Sequence, residues 1–157
     1  MARNYKQGKF KPTNAQKYAG DLENIVYRSS WELRAFRWLD TNPAVIGWFS
    51  EQTVLQYWSE VDCKYRRYFV DITAKIRDAT GKINTYMIEI KPYAQTIPPK
   101  FPGRQTQRYV NELSEYIRNQ NKWSAARAYA EQRNAQFVVL HEGHLGIGKK
   151  PKNGWSI

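Results

Sequence analysis

The sequence has 157 residues, of which 41% are hydrophobic and 15% aromatic, enough for one domain around one core. Its 25 lysine and arginine residues exceed the 14 acidic ones and give a net charge of +11, which favours an anionic partner, with nucleic acid as the first candidate. Cys63 is the only cysteine, which excludes an intrachain disulfide and a cysteine-rich zinc site.

A membrane surface is the competing anionic partner. No apolar run approaches the roughly 20 residues that a membrane-spanning helix needs. The amino terminus, M-A-R-N-Y-K, lacks the apolar core of a signal peptide. We therefore expect a soluble protein that is not secreted and has no membrane partner.

Both ends of the chain are basic. Residues 1–20 contain five basic and no acidic residues, interleaved with aromatic ones. This composition indicates an arm that lies along phosphates or, equally, a solvated and partly disordered terminus. The residues after Glu142 are again basic and glycine-containing, without an acid. We therefore predict a basic arm over residues 1–20, a single domain over 21–142 and a basic tail over 143–157.

The first predicted helix begins at Ser29, with the sequence S-S-W-E-L-R-A-F-R-W-L-D, and ends before Asn42-Pro43. Its spacing places Glu32 at the start of an apolar stripe that faces the core. Ser29 and Glu32 also have the spacing of a capping box, in which the carboxylate satisfies backbone N–H groups. The sequence leaves both interpretations of Glu32 open: a functional carboxylate, or a helix cap.

Three strands are predicted next. Val45 to Tyr57 predicts one strand, bent near Gly47. The alternation from Tyr68 to Ile76 and from Tyr86 to Lys91 predicts a β-hairpin around the turn D-A-T-G-K.

The hairpin gathers charged side chains on one face. If its turn is centred on Thr80, cross-strand partners have numbers that sum to about 160, so Asp71 faces Glu89. Lys91, two residues from Glu89, shares that face. The reverse face carries apolar side chains, those of Val70, Ile72, Ile88 and Ile90.

The second half of the chain supplies the helical layer. The segment after Lys91 holds four of the seven prolines, which excludes a helix and gives either a wall of a substrate groove or a connector. Residues 105–133 predict two helices, or one kinked helix with a break at Asn119–Asn121, packed on the sheet. Ala135–Leu140 predicts a short apolar strand inside a sheet that is covered on both faces.

The charged face has the chemistry of a metal site. Mg²⁺ prefers carboxylate and water oxygens and is commonly held by one or two carboxylates and a substrate phosphate. Asp71 and Glu89 are the predicted ligands and the Ile90 carbonyl is the third, while Glu32 completes the shell or holds a metal-bound water. Lys91 would position or deprotonate the attacking water, or neutralise charge on the phosphate. The alternative is a solvated hairpin face with a weak surface salt bridge.

These residues resemble the PD-(D/E)xK superfamily of restriction-endonuclease-like nucleases. The resemblance rests on Val70-Asp71 and Glu89-Ile90-Lys91, with the helical Glu32 upstream, although Val70 replaces the proline often found in the family. More closely, the chain is similar to the head-completion nucleases of tailed bacteriophages and to TnsA-type transposase endonucleases. The segments that carry this similarity are S-S-W-E-L-R-A-F-R-W-L-D-T-N-P-A-V, E-Q, Y-R-R-Y-F-V-D, I-E-I-K-P and N-K-W-S-A-A-R-A-Y-A.

The resemblance covers roughly residues 25–140 and implies an α/β (α+β) fold with a restriction-endonuclease-like core: a mixed central sheet of about four strands flanked by helices. It implies a Mg²⁺-dependent DNA endonuclease, with Mn²⁺ as a substitute cofactor. In the phage case the enzyme acts on DNA as the capsid is finished, with capsid or portal proteins as partners, in the host cytoplasm or associated with the virion.

Two alternatives stay open. One is a non-catalytic DNA-binding capsid-assembly protein on the same fold, and the other is a TnsA-like transposase endonuclease subunit. An RNA substrate is compatible with the same residues. The sequence does not define the oligomeric state.

Further residues are candidates for DNA contacts. Gln105 and Tyr109 form a Q-x-x-x-Y pattern on the predicted helix, similar to a motif near the active site of some nucleases, with ordinary helix surface as the alternative. His141 and His144 are three residues apart after a strand, which does not fit the zinc-protease spacing and indicates loop histidines. The basic candidates either border the charged face or lie in the terminal segments: Arg66, Arg67, Arg104, Arg108, Lys9, Lys11, Lys149 and Lys150.

Overall fold

The computed structural model describes residues 7–146. The predicted Lys149 and Lys150 therefore lie outside the described residues. In chain order the elements are β1 (Gly8–Lys9), β2 (Val26–Tyr27), α1 (Ser30–Thr41), β3 (Val45–Ser50), β4 (Val54–Ser59), β5 (Lys64–Phe69), β6 (Ile72–Arg77), β7 (Ile83–Ile90), α2 (Gln107–Glu131) and β8 (Ala135–Leu140).

A four-stranded mixed sheet in the order β3-β6-β7-β8 forms the centre of the molecule. Strands β3, β6 and β7 are antiparallel neighbours, and β8 runs parallel to β7. One core cluster joins α1 to the sheet, and a second joins α2 to β7 and to the two-stranded ribbon of β4 and β5. This arrangement confirms the predicted α+β fold with a restriction-endonuclease-like core.

The register of the β6–β7 hairpin agrees with the prediction. Ile72 pairs with Ile88 and Ile76 with Asn84, so the turn is centred on Thr80. Asp78 fixes that turn by accepting hydrogen bonds from the backbone N–H groups of Thr80 and Lys82, at 2.9 and 3.1 Å. Asp71 and Glu89 consequently reach the same end of the hairpin.

The predicted single strand over 68–76 is wrong. The strand is interrupted at Val70-Asp71. As a result β5 pairs with β4 in the separate ribbon, while β6 enters the central sheet. Val70 N–H donates to the Thr53 carbonyl at 3.0 Å, which fixes the break. Val70 packs with Met87 in the α2 cluster, and not with Ile72 as predicted.

The predicted strand over 45–57 is also two strands. Glu51 adopts a left-handed conformation with φ of 53°, which turns the chain between β3 and β4. The predicted bend near Gly47 is confirmed as a register shift between Val45 and Gly47 in the pairing of β3 with β6.

The remaining corrections concern the second half of the chain. Helix α2 is continuous from Gln107 to Glu131, so the predicted break at Asn119–Asn121 does not occur. Asn119 is buried, and Asn121 accepts a hydrogen bond from Glu60 N–H at 3.0 Å. Strand β8 lies at an edge of the central sheet, and not inside it as predicted. Among residues 7–146, neither helix has the length and apolarity needed to cross a bilayer.

The described part of the predicted basic arm packs on the domain. Phe10 and Tyr18 are buried in the α1 cluster. Asp40, near the end of α1, accepts hydrogen bonds from the backbone N–H groups of Thr13 and Asn14, at 2.8 and 2.9 Å. The buried carboxylate therefore anchors the amino-terminal segment, which contributes to the core and is not a solvated terminus here.

We expect Asp40→Asn to lower the free energy of unfolding by about 1–3 kcal/mol, because an amide NH₂ would face one of the two backbone donors and leave it unsatisfied. Urea unfolding measures the change. The equivalent change of a carboxylate to an amide at the exposed Glu23, Glu23→Gln, is the control and should have little effect on the free energy of unfolding. Equal losses in the two variants would contradict the anchoring role.

Candidate active site

A cleft with a volume of about 440 Å³ opens where the end of the β6–β7 hairpin meets the start of α1. It brings together the four residues that the sequence singled out for catalysis, Glu32, Asp71, Glu89 and Lys91. Its lining consists of Gln7, Arg28, Ser29, Glu32, Asp71, Glu89, Ile90 and Lys91. The side chains of Asp71 and Glu89 thus serve one site.

Asp71 lies in the interruption between β5 and β6, directly before β6. Its Oδ2 accepts a hydrogen bond from Ile90 N–H at 2.8 Å, whereas no hydrogen bond within residues 7–146 reaches Oδ1. Burial raises the pKa of Asp71 well above its ordinary value, and repulsion from Glu89 raises it further. A cation in the cleft would offset both effects.

Glu89, near the end of β7, is buried and is held from two sides. Its Oε2 accepts a hydrogen bond from the Tyr68 hydroxyl at 2.6 Å, and its Oε1 lies 3.6 Å from Lys91 Nζ. Burial and the Glu89 charge raise the pKa of Tyr68, so the phenol stays a hydrogen-bond donor. The Glu89 carboxylate is therefore fixed in place beside the lysine.

Glu32 forms the helix cap and also lines the cleft, so its position is compatible with both interpretations of the sequence. Ser29 Oγ accepts a hydrogen bond from Glu32 N–H at 3.1 Å, as in a capping box. The Glu32 Oε2 accepts from the backbone N–H of Arg28, one residue before the capping serine. The same carboxyl group lines the cleft, and burial raises its pKa. A helix cap thus also delivers a third acid to the site.

The donor atoms of the cleft suit a hard divalent cation. Asp71 and Glu89 supply carboxylate oxygens, and the Ile90 carbonyl lies on the Asp71 side because the N–H and C=O of one strand residue point the same way. Within residues 7–146 no three His, Cys, Asp and Glu side chains form a group that could hold a metal. Glu32 therefore does not form a three-acid group with Asp71 and Glu89. The two carboxylates and the Ile90 carbonyl fit Mg²⁺, which needs only one or two carboxylates.

Of the predicted DNA-binding residues, those within residues 7–146 do not line the cleft. Arg66 lies near the β4–β5 turn, where it forms an ion pair with Asp62 at 2.8 Å. Arg108 is exposed on α2 and pairs with Glu112 at 2.8 Å. Arg67, Arg104, Lys9 and Lys11 are exposed surface side chains. None of these side chains is among the residues that line the cleft, and their contacts with DNA stay a prediction.

The Q-x-x-x-Y pattern is not a helical motif in this chain. Thr106 caps α2, so Gln105 precedes the helix and only Tyr109 belongs to it. Tyr109 packs edge to face against Phe101, with ring centroids 5.3 Å apart. His141 and His144 follow β8, as predicted, and bond to each other through His141 N–H and His144 Nδ1 at 3.0 Å.

The sequence did not predict two residues that belong to the candidate site, Tyr68 and Arg28. The interruption after β5 brings the Tyr68 hydroxyl to Glu89. The alternation of one assumed continuous strand did not indicate this contact. Arg28 lines the cleft and forms an ion pair with Glu51, at 2.7 Å. Its position directly before the capping serine was the available signal.

Residues 42–142 match the family model of the TnsA-like endonuclease N-terminal domain. The chain therefore belongs to the TnsA-like endonuclease family, and the match includes Asp71, Glu89 and Lys91. It is 43% identical over 142 residues to the head completion nuclease of Enterobacteria phage T4, an alignment that covers 88% of this chain and 92% of that relative. No solved structure gave a significant match. These comparisons confirm the family resemblance seen in the sequence.

The raised Asp71 pKa predicts a pH-dependent cost of folding. The folded state binds the Asp71 proton more tightly than the unfolded state, so its stability falls as pH rises from about 4 through the folded pKa. In chelator, we expect Asp71→Asn to be more stable than the wild type at pH 7. The difference should be about 1.4 kcal/mol per unit of pKa difference and should vanish towards pH 4.

Urea unfolding at pH 7 and pH 4 measures this difference. The control is Asp78→Asn, because hydrogen bonds from Thr80 and Asn84 lower the Asp78 pKa, so that this substitution should destabilise at pH 7. If Asp71→Asn also destabilised the protein at pH 7, the proposed electrostatic cost at Asp71 would be refuted.

Proposed function

We propose that this chain is a Mg²⁺-dependent DNA endonuclease of the PD-(D/E)xK type, with Mn²⁺ as a substitute. The observation that carries the proposal is the convergence of Asp71, Glu89 and Lys91 in one cleft, where burial and carboxylate repulsion raise the Asp71 pKa. Such an arrangement is costly unless a cation occupies it. The net charge of +11 supports a polyanionic substrate.

Asp71, Glu89 and the Ile90 carbonyl would hold the metal, and Glu32 would hold a water bound to it. The ion, when bound, polarises the scissile phosphate and lowers the pKa of a water molecule. The chain's own residues position the remaining groups. Tyr68 holds the Glu89 carboxylate in one orientation through the 2.6 Å hydrogen bond.

Lys91 is the candidate for handling the substrate's charge. Its ammonium lies 3.6 Å from Glu89 Oε1, and its side chain keeps about a quarter of its area exposed towards solvent. It would therefore reach a phosphate oxygen while Glu89 restrains it, and would neutralise charge that develops during hydrolysis. Arg28, which also lines the cleft, provides a second cation that is paired with Glu51.

We further propose that the enzyme acts in phage head completion, on DNA during capsid packaging and assembly. The similarity to the phage T4 head completion nuclease along nearly the whole chain supports this role. Capsid or portal proteins would be its partners, in the host cytoplasm or in the virion. The family match to residues 42–142 favours a TnsA-like transposase endonuclease subunit as the second candidate.

Plasmid nicking tests the enzymatic proposal. We expect the wild type to convert supercoiled DNA to open circles with Mg²⁺ or Mn²⁺ and to lose this activity in chelator. Asp71→Asn and Glu89→Gln should each lower the rate by about 100-fold or more, because each removes a carboxylate that would hold the metal.

Glu23→Gln is the matched control, since it also converts a carboxylate to an amide and Glu23 is exposed and outside the cleft. It should nick at the wild-type rate. Nicking that persisted in chelator would exclude metal dependence, and unimpaired nicking by Asp71→Asn would exclude this cleft. Salt-sensitive DNA binding without any nicking would favour the non-catalytic assembly protein.

A further inference from the structure

The β4–β5 ribbon has one face that nothing in the described structure covers. Its inner face, with Leu55, Tyr57 and Tyr68, packs against α2. The side chains that alternate with these form three cross-strand pairs on the outside. This outer face, named here the aromatic face, consists of Val54 opposite Phe69, Gln56 opposite Arg67, and Trp58 opposite Tyr65.

Three large aromatic side chains are exposed on this face. The exposed fractions are 48% for Trp58, 66% for Tyr65 and 48% for Phe69. The rings of Trp58 and Tyr65 contact each other edge to face, with centroids 5.1 Å apart. Exposed aromatic side chains grouped in this way on a small protein indicate a binding surface more often than chance exposure.

The aromatic face carries positive charge, which favours an anionic partner. None of its six residues is acidic. Arg67 lies between the aromatic pairs, with its guanidinium 5.7 Å from the Phe69 ring centre. Among the described residues Arg67 forms no ion pair, whereas its neighbour Arg66 pairs with Asp62. The face therefore presents aromatic planes and one unneutralised cation.

The aromatic face also leads to the cleft. Phe69, at one end of the ribbon, is two residues before Asp71, so their Cα atoms are within about 7 Å. Tyr65 and Arg67 precede Phe69 along the same strand at intervals of two residues, or about 7 Å each. A ligand that follows the ribbon would thus end beside the catalytic carboxylates.

We propose that the aromatic face binds single-stranded DNA next to the cleft, with bases stacked on Trp58, Tyr65 and Phe69 and a phosphate on Arg67. Aromatic side chains with nearby cations are the usual platform for single strands, because every unpaired base has an exposed π-face. Duplex DNA hides these faces within its stack. The inference rests on the proposed nuclease function, to which it assigns a substrate with an unpaired segment.

Binding of fluorescent oligonucleotides by the full chain in chelator tests the proposal without cleavage. The probes are a single-stranded thymine oligonucleotide and a mixed-sequence single strand with its matching duplex. Trp58→Ala and Tyr65→Ala should each weaken single-strand binding about fivefold or more and leave duplex binding within twofold. Trp58→Phe should retain most of the affinity, because the ring remains.

Salt dependence separates stacking from charge. Arg67→Ala should reduce the slope of log affinity against log salt by about 0.7 for the single strand, whereas Tyr65→Ala should leave the slope unchanged. Controls are Arg77→Ala, at the end of β6 remote from Asp71, and Ile83→Ala, which removes exposed apolar area without a π-face. Circular dichroism verifies that each variant is folded.

Equal loss of single-strand and duplex binding, or no loss, would overturn the proposal. Light scattering that showed a wild-type dimer abolished by Tyr65→Ala would overturn it too, because a second copy would then cover the face. If the wild type did not nick plasmid DNA while Trp58→Ala and Tyr65→Ala selectively lost single-strand binding, the nuclease proposal alone would be refuted.

Discussion

The repulsion between two carboxylates in one cleft is the constraint on which the site depends. Asp71 and Glu89 converge at the end of the β6–β7 hairpin, and burial together with that repulsion raises the Asp71 pKa. The fold offsets part of the cost with the Ile90 N–H, the Tyr68 hydroxyl and the Lys91 ammonium. The remaining cost, tolerated in the folded chain, marks this cleft as a candidate functional site.

The architecture serves this convergence from several directions. The central sheet fixes the hairpin register, and α1 brings Glu32 to the same cleft through its amino-terminal cap. The break at Val70-Asp71 has two effects, since it places Asp71 at the head of β6 and diverts β5 into the ribbon whose Tyr68 reaches Glu89. The same diversion exposes the aromatic face, so one local feature links the cleft to the surface proposed for the substrate strand.

The sequence predicted those features that depend on local patterns. Alternation and the D-A-T-G-K turn determined which residues face each other, and Ser29 with Glu32 predicted the helix cap. The sequence did not predict features that depend on long-range pairing. Val70 looked like part of a continuous strand because its N–H partner, Thr53, is remote in the chain, and Ala135–Leu140 looked internal because apolar composition does not distinguish an edge strand partly covered by α2. Arg28 enters the cleft only because the β1–β2 pairing and α1 bring it there.

The most direct measurement is the anomalous difference density of a crystal of this protein soaked in Mn²⁺. We expect one strong peak within bonding distance of the Asp71 and Glu89 carboxylates and the Ile90 carbonyl, and no such peak in crystals of Asp71→Asn. A Mn²⁺ peak elsewhere in the molecule, with this cleft empty at the same concentration, would contradict it.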